Sequence, residues 1–130
     1  MSWLLCVHKW KKTRRNREVN FSIQKEESYT SIKVLNEKLD SLLAPGFKSE
    51  LVVIVENGEK NILVDLSNCK SCDSSGMSVL SFGNRLCNGA NGKFVLYGLT
   101  NKIKEMMDLI GFDSLLSVTH TKAEAKKLFL

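Results

Sequence analysis

Proline occurs once and histidine twice in these 130 residues, and long apolar runs are missing altogether. Each scarcity removes a class of protein. A membrane-crossing helix needs roughly 18 or more consecutive apolar residues, and no run approaches that length. The apolar stretch Trp3 to Val7 is too short for a secretory h-region, and its cations follow it instead of preceding it. Leu4-Leu5-Cys6 resembles a lipoprotein cleavage site, but no hydrophobic segment leads into it. Arg14-Arg15 is a twin arginine with no apolar stretch behind it. These absences predict a cytoplasmic protein without an integral membrane segment. There is no glycine-rich phosphate loop and no Ser-His-Asp arrangement with local support, so no enzyme and no cofactor are expected. Nothing reads as low-complexity or as a repeat, and the length suits one domain with a real core.

Net charge is also absent from most of the chain. Lys9, Lys11, Lys12, Arg14, Arg15 and Arg17 face only Glu18 in the first 18 residues, a net of +5 that equals the net of the whole chain. Residues 19–130 therefore balance to zero. The pI of about 9.1 belongs to a tail. Such a tail can touch an anionic membrane or a nucleic acid, or it can be a solvated arm. The neutral body argues against a nucleic-acid partner. The expectation is a disordered or poorly packed basic tail over 1–18 and one domain over 19–130.

The apolar pattern predicts the order β-β-α-β-α-β-α-β-α. Val19 to Ile23 and Tyr29 to Leu35 alternate as two strands of a hairpin, joined by the polar turn Lys25 to Ser28. Asn36 to Ala44 is a connection containing Asp40. Pro45 suits the first turn of a helix running to about Glu56, with Phe47, Leu51, Ile54 and Val55 on one face. Ile62-Leu63-Val64 reads as a strand covered on both faces. A helix follows from Ser74 to about Cys87, with Met77, Val79, Leu80, Gly83 and Leu86 on its inward side, then a buried strand from Lys93 to Tyr97. Thr100 caps a helix to Ile110 with the stripe Ile103, Met106, Met107 and Ile110. Leu115 to Thr119 is a last strand, and Thr121 to Glu124 is a capping box for a last helix. Alternating strands and helices predict an α/β fold with a mixed, mostly parallel sheet and an N-terminal hairpin. Functional sites in such sheets gather at the carboxyl ends of the strands, where residues 65–76 lie.

In that segment Asp73 stands where a helix N-cap belongs, able to accept from the amide of Ser75 or Gly76. Ser74 and Ser75 fall at the first helical positions. Serines there are commonly caps, and they can also carry a phosphate, which the helix dipole tolerates. Gly76 is a poor helix former, used either for close packing or for approach by a partner backbone. Cys69 and Cys72 form a Cys-x-x-Cys pair. A reactive pair sits on the helix start itself, whereas Cys72 precedes an acid that raises its pKa. A zinc site needs about four ligands, and Cys6, His8, Cys87 and His120 offer no second paired spacing. The four cysteines, without a secretion signal, are expected to be free thiols, and this pair to be buried packing. Asp40, Asp65 and Asp73 lie at or near one sheet edge and could hold a metal, but Asp65 continues a buried strand, and such carboxylates are more often capping or hydrogen-bonded.

These residues resemble the STAS domain of the anti-sigma factor antagonist family. The resemblance rests on Lys38-Leu39-Asp40, Ala44-Pro45 through Glu56, Asp65-Leu66-Ser67, Asp73-Ser74-Ser75-Gly76-Met77, Gly92 to Leu96, and Leu109 to Asp113, in order across 19–129. Ser78 stands where the family often has glycine or another small residue, and Asn36 to Lys38 lacks its Gly-Arg. The resemblance implies a STAS-type fold and a protein–protein switch. Ser75 would be phosphorylated by an anti-sigma factor that is an ATP-dependent serine kinase. Asp40, Asp73, Ser74, Ser75, Gly76 and Met77 would form the partner surface. The unphosphorylated form would bind the anti-sigma factor and free the sigma factor, and a serine phosphatase would reset it. The switch module would be a monomer. Two rivals remain: a non-phosphorylated STAS subunit of a membrane transporter, and a thiol oxidoreductase using Cys69 and Cys72.

Overall fold

The computed structural model describes residues 20–111 and 116–129. The expected tail 1–18, the expected strand positions Val19 and Leu115, and Phe112 and Asp113 lie outside them. Five strands form the main sheet: β1 (Phe21–Lys25), β2 (Thr30–Val34), β4 (Ile62–Asp65), β6 (Phe94–Tyr97) and β7 (Ser117–Thr119), in the order β1-β2-β4-β6-β7. The β1–β2 hairpin is antiparallel and the other pairs are parallel. This is the predicted mixed, mostly parallel sheet. Helices α1 (Ala44–Glu56), α2 (Ser74–Gly89), α3 (Asn101–Leu109) and α4 (Lys122–Lys127) connect and cover it.

Strand side chains alternate between faces, and the core divides accordingly. Ile62, Val64, Phe94 and Leu96 join Phe47, Leu51, Ile54, Met77, Leu80, Ile103 and Met107 in the larger core under α1, α2 and α3. Leu63 and Val95 point the other way, to Tyr29, Ala125 and Phe129 beside α4. The consecutive apolar triplet is thus used on both faces. The caps also follow the sequence. Thr100 accepts from the Ile103 amide at 3.3 Å, and Thr121 from the Glu124 amide at 3.1 Å.

Three features differ from the sequence pattern. Two short strands are additional: β3 (Lys38–Leu39) and β5 (Ser71–Cys72), which pair in parallel as a separate two-stranded sheet. Two residues carry no period, so the pairing is invisible to pattern reading. On α1, Val55 is only half-buried, whereas Glu50 is 1% exposed, because positions 47, 50, 51 and 54 share the inward stripe. Ile110 was expected in the α3 stripe but is 45% exposed, since the helix ends at Leu109 and Ile110 is its C-cap.

Candidate functional site

The β3–β5 pair builds the site. It aligns Leu39 with Cys72, and the Asp73 amide then donates to the Leu39 carbonyl at 3.1 Å. The residue after each strand is an aspartate, so the ladder brings Asp40 alongside Asp73 at the start of α2. Asp73 has an extended backbone and accepts from the Gly76 amide at 3.0 Å, satisfying one of the donors a helix start leaves over. Asp40 does the same for the turn entering α1, taking the Leu42 and Leu43 amides at 3.1 and 3.2 Å. Both carboxylates are half-buried and hold chain turns open to solvent. Asp65 also serves a local turn, accepting from the Ser67 amide at 2.9 Å.

Among the residues named from sequence, Ser74 is exposed and Ser75 half-buried in the first turn of α2. They follow the N-cap Asp73 directly, near the positive end of the helix. Gly76 and Met77 lie beneath. A Cβ on Gly76 would come within 2.5 Å of the Leu39 carbonyl oxygen and 2.6 Å of Cys72 Sγ. Glycine is therefore required there by the fit of α2 on β3 and β5, the close-packing alternative. Met77 is 1% exposed and belongs to the core. Its side chain supports the surface from below and offers no contact of its own. Two exposed residues escaped sequence reasoning. Ser78 shares the outer face of α2 with Ser74, one turn on. Leu42, two residues after Asp40, is 90% exposed. A single leucine in a turn has no periodic signal, although an apolar residue just outside an expected capping acid is a usable hint.

Removing the Asp73 cap provides a direct check on this geometry. Asp73→Ala should destabilise the fold by about 1 kcal/mol and Asp73→Asn by much less, because asparagine caps as well. Urea denaturation of both variants measures this. Equal losses would show that the carboxylate acts through charge instead of as an acceptor.

The described cysteines are packing. Cys69, Cys72 and Cys87 are buried free thiols. Burial pushes Cys72 up from 9.0 to about 12, with Cys69 and Asp73 adding to the rise. Burial alone takes Cys87 to about 12. Cys69 is raised by burial, against backbone hydrogen bonds at Ser71 and Leu39. A redox pair requires a lowered thiol pKa, so the oxidoreductase rival loses its chemistry.

The same shifts set an alkaline limit on stability. In the folded state these thiols keep their protons to higher pH than in the unfolded chain. The stability they contribute is whole below pH 9 and is lost as pH rises toward about 12. Across that window stability should fall by roughly 1.4 kcal/mol per pH unit for each such thiol. Urea midpoints taken above pH 9 should show this slope, and Cys87→Ala should make it shallower. An unchanged slope in that variant would remove Cys87 from the account.

Comparison with known proteins places this geometry in a class. The family described as "Mlab, STAS domain" matches residues 8–117. The chain belongs to the STAS domain family. Within that family its relatives carry the antagonist name. BtrV of Bordetella bronchiseptica, a candidate anti-sigma factor antagonist, is 26% identical over 98 residues, covering 75% of this chain and 84% of BtrV. Among solved structures, an anti-sigma-factor antagonist (STAS) domain protein of Planctomyces limnophilus superposes with a TM-score of 0.77 at 18% identity, over 85% of this chain and 98% of that one. The phosphorylated form of the Bacillus cell fate determinant SpoIIAA superposes with a TM-score of 0.65 at 15% identity, over 83% and 97%. Such structural likenesses bear on the fold. No helix among the described residues is long and apolar enough to cross a membrane.

Proposed function

We propose that this chain is a cytoplasmic anti-sigma factor antagonist whose binding is switched by phosphorylation of Ser75. The observation that carries the reading is the β3–β5 ladder. It pairs Leu39 with Cys72, the residues just before Asp40 and Asp73, and so supports a shared surface with the helix start at which Ser74 is exposed and Ser75 half-buried. In the unphosphorylated state this surface (Asp40, Asp73, Ser74 and Ser75, over the buried Gly76 and Met77) binds an anti-sigma factor that is an ATP-dependent serine kinase, and the sigma factor is freed. Phosphorylation adds roughly −1.5 to −2 of charge beside two carboxylates and breaks the contact. A serine phosphatase restores the binding form. The chain needs no catalytic residue and no cofactor for this, and it works as a monomer.

Phosphorylation by the anti-sigma kinase with ATP, followed by mass mapping, tests the reading. The label is expected on Ser75, and Ser75→Ala should abolish it. Labelling of Ser75→Ala equal to wild type would move the site elsewhere. No labelling of either protein, with partner binding retained, would favour a non-phosphorylated STAS subunit of a transporter.

A further inference from the structure

A cavity of about 320 Å³ lies between α3 and β7, at the carboxyl ends of β6 and β7. Sheets of this kind receive ligands at that end, and the volume is at the small end of the roughly 300–1,000 Å³ of ligand pockets. Two periodicities build it. Residues three and four apart share a helix face, so α3 contributes Lys104, Met107 and Asp108. Alternate residues share a sheet face, so β7 contributes Val118 and, just past its end, His120. Leu99, between β6 and α3, completes the lining. Met107 is buried, and Leu99 and Val118 are half-buried. The cavity therefore joins an apolar floor to three polar side chains.

Lys104 and Asp108 stand four residues apart on α3, the spacing of an ordinary helical ion pair. The ammonium turns to His120 instead, with Lys104 Nζ 3.2 Å from His120 Nδ1. An ammonium can only donate, so Nδ1 accepts and the ring carries its hydrogen on Nε2. The His120 amide donates to Glu124 at 3.1 Å, which anchors the backbone below that ring. The pair thus offers a ligand donors alone: the remaining ammonium protons and the Nε2–H. Asp108 has the opposite character. Its carboxylate is exposed, can only accept, and forms no ion pair with another described residue.

A ligand that satisfies all three parts carries a carboxylate, an ammonium and a short apolar chain. We infer that this cavity binds a free α-amino acid with an apolar side chain of leucine size. Its carboxylate meets Lys104 and His120, its ammonium meets Asp108, and its side chain covers Leu99, Met107 and Val118. A plain anion would be repelled by Asp108, and a plain amine by Lys104, so the charge pattern selects a zwitterion. The binding does not rest on the antagonist reading, because none of the six lining residues belongs to the Ser75 surface.

Amide NMR titration of the full chain tests this with three probes: leucine, isocaproate (leucine without its ammonium) and isoamylamine (leucine without its carboxylate). Leucine should give saturable shifts at Leu99, Met107 and Val118. The other two should each bind about five-fold more weakly, the upper range for one exposed ion pair. Asp108→Asn should weaken leucine by about the same factor and leave isocaproate no weaker than before. Lys104→Gln should weaken leucine and isocaproate together and spare isoamylamine. Absence of saturable shifts with leucine would overturn the inference. Equal affinity for leucine and isocaproate would also overturn it, making the cavity a plain carboxylate site. Equal affinity for all three probes would do the same, leaving an apolar cleft without selectivity. So would saturable leucine shifts confined to other residues. Asp108→Asn leaves Ser75 labelling untouched, and Ser75→Ala leaves leucine binding untouched, so the two readings fail separately.

Discussion

Gly76→Ala is expected to lower the melting temperature by about 10 °C, corresponding to a loss of about 3 kcal/mol. The added methyl would meet three atoms at once: the Leu39 carbonyl oxygen at 2.5 Å, Cys72 Sγ at 2.6 Å and Leu39 Cγ at 2.8 Å. A flexible side-chain end could turn away, but the carbonyl belongs to the β3 backbone. It accepts the Asp73 amide, so moving it disturbs the β3–β5 ladder and the helix cap together. Adding Cys72→Ala should therefore restore only part of the loss, since the sulfur clash is relieved and the carbonyl clash is not. Thermal melts of the single and double variants decide this. Full recovery in the double variant would show that the sulfur alone demands glycine.

The second large effect concerns binding. Ser75→Asp should weaken the complex with the anti-sigma factor more than 100-fold, equivalent to about 3 kcal/mol. The new carboxylate would join Asp40 and Asp73 on the proposed surface, and burying three like charges in one interface is costly. Asp40→Asn should recover part of the lost affinity in the Ser75→Asp background, because it removes one repelling charge and keeps the side-chain acceptor that holds the Leu42 and Leu43 amides. Titration calorimetry on the four proteins measures the coupling. Equal affinity for wild type and Ser75→Asp would end the switch mechanism.

Much of the sheet was legible because its signals are local. Ile62-Leu63-Val64 announced a strand covered twice, and the alternate residues do enter separate cores. Asp73, Thr100 and Thr121 announced helix starts because a capping side chain bonds an amide only three residues on. Reading failed where packing chose among alternatives. Glu50 looked polar and is buried; Ile110 looked buried and is exposed. Helical spacing predicts a face, yet the helix end and the neighbouring elements decide how much of that face is covered.

The candidate site divides along the same line. Chain neighbours sufficed to locate the helix start, its acidic cap, its two serines and the improbability of reactive cysteines beside that acid. Nothing local joined Asp40 to Asp73, because two-residue strands carry no pattern and their register is a contact between distant parts of the chain. Nor could spacing tell which side of Gly76 was crowded. The Leu39 carbonyl settles that from β3, while the inward Met77 and the outward serines follow the helical spacing. Residue chemistry named the participants, and only the meeting of β3, β5 and α2 in space determined which of them a partner could touch.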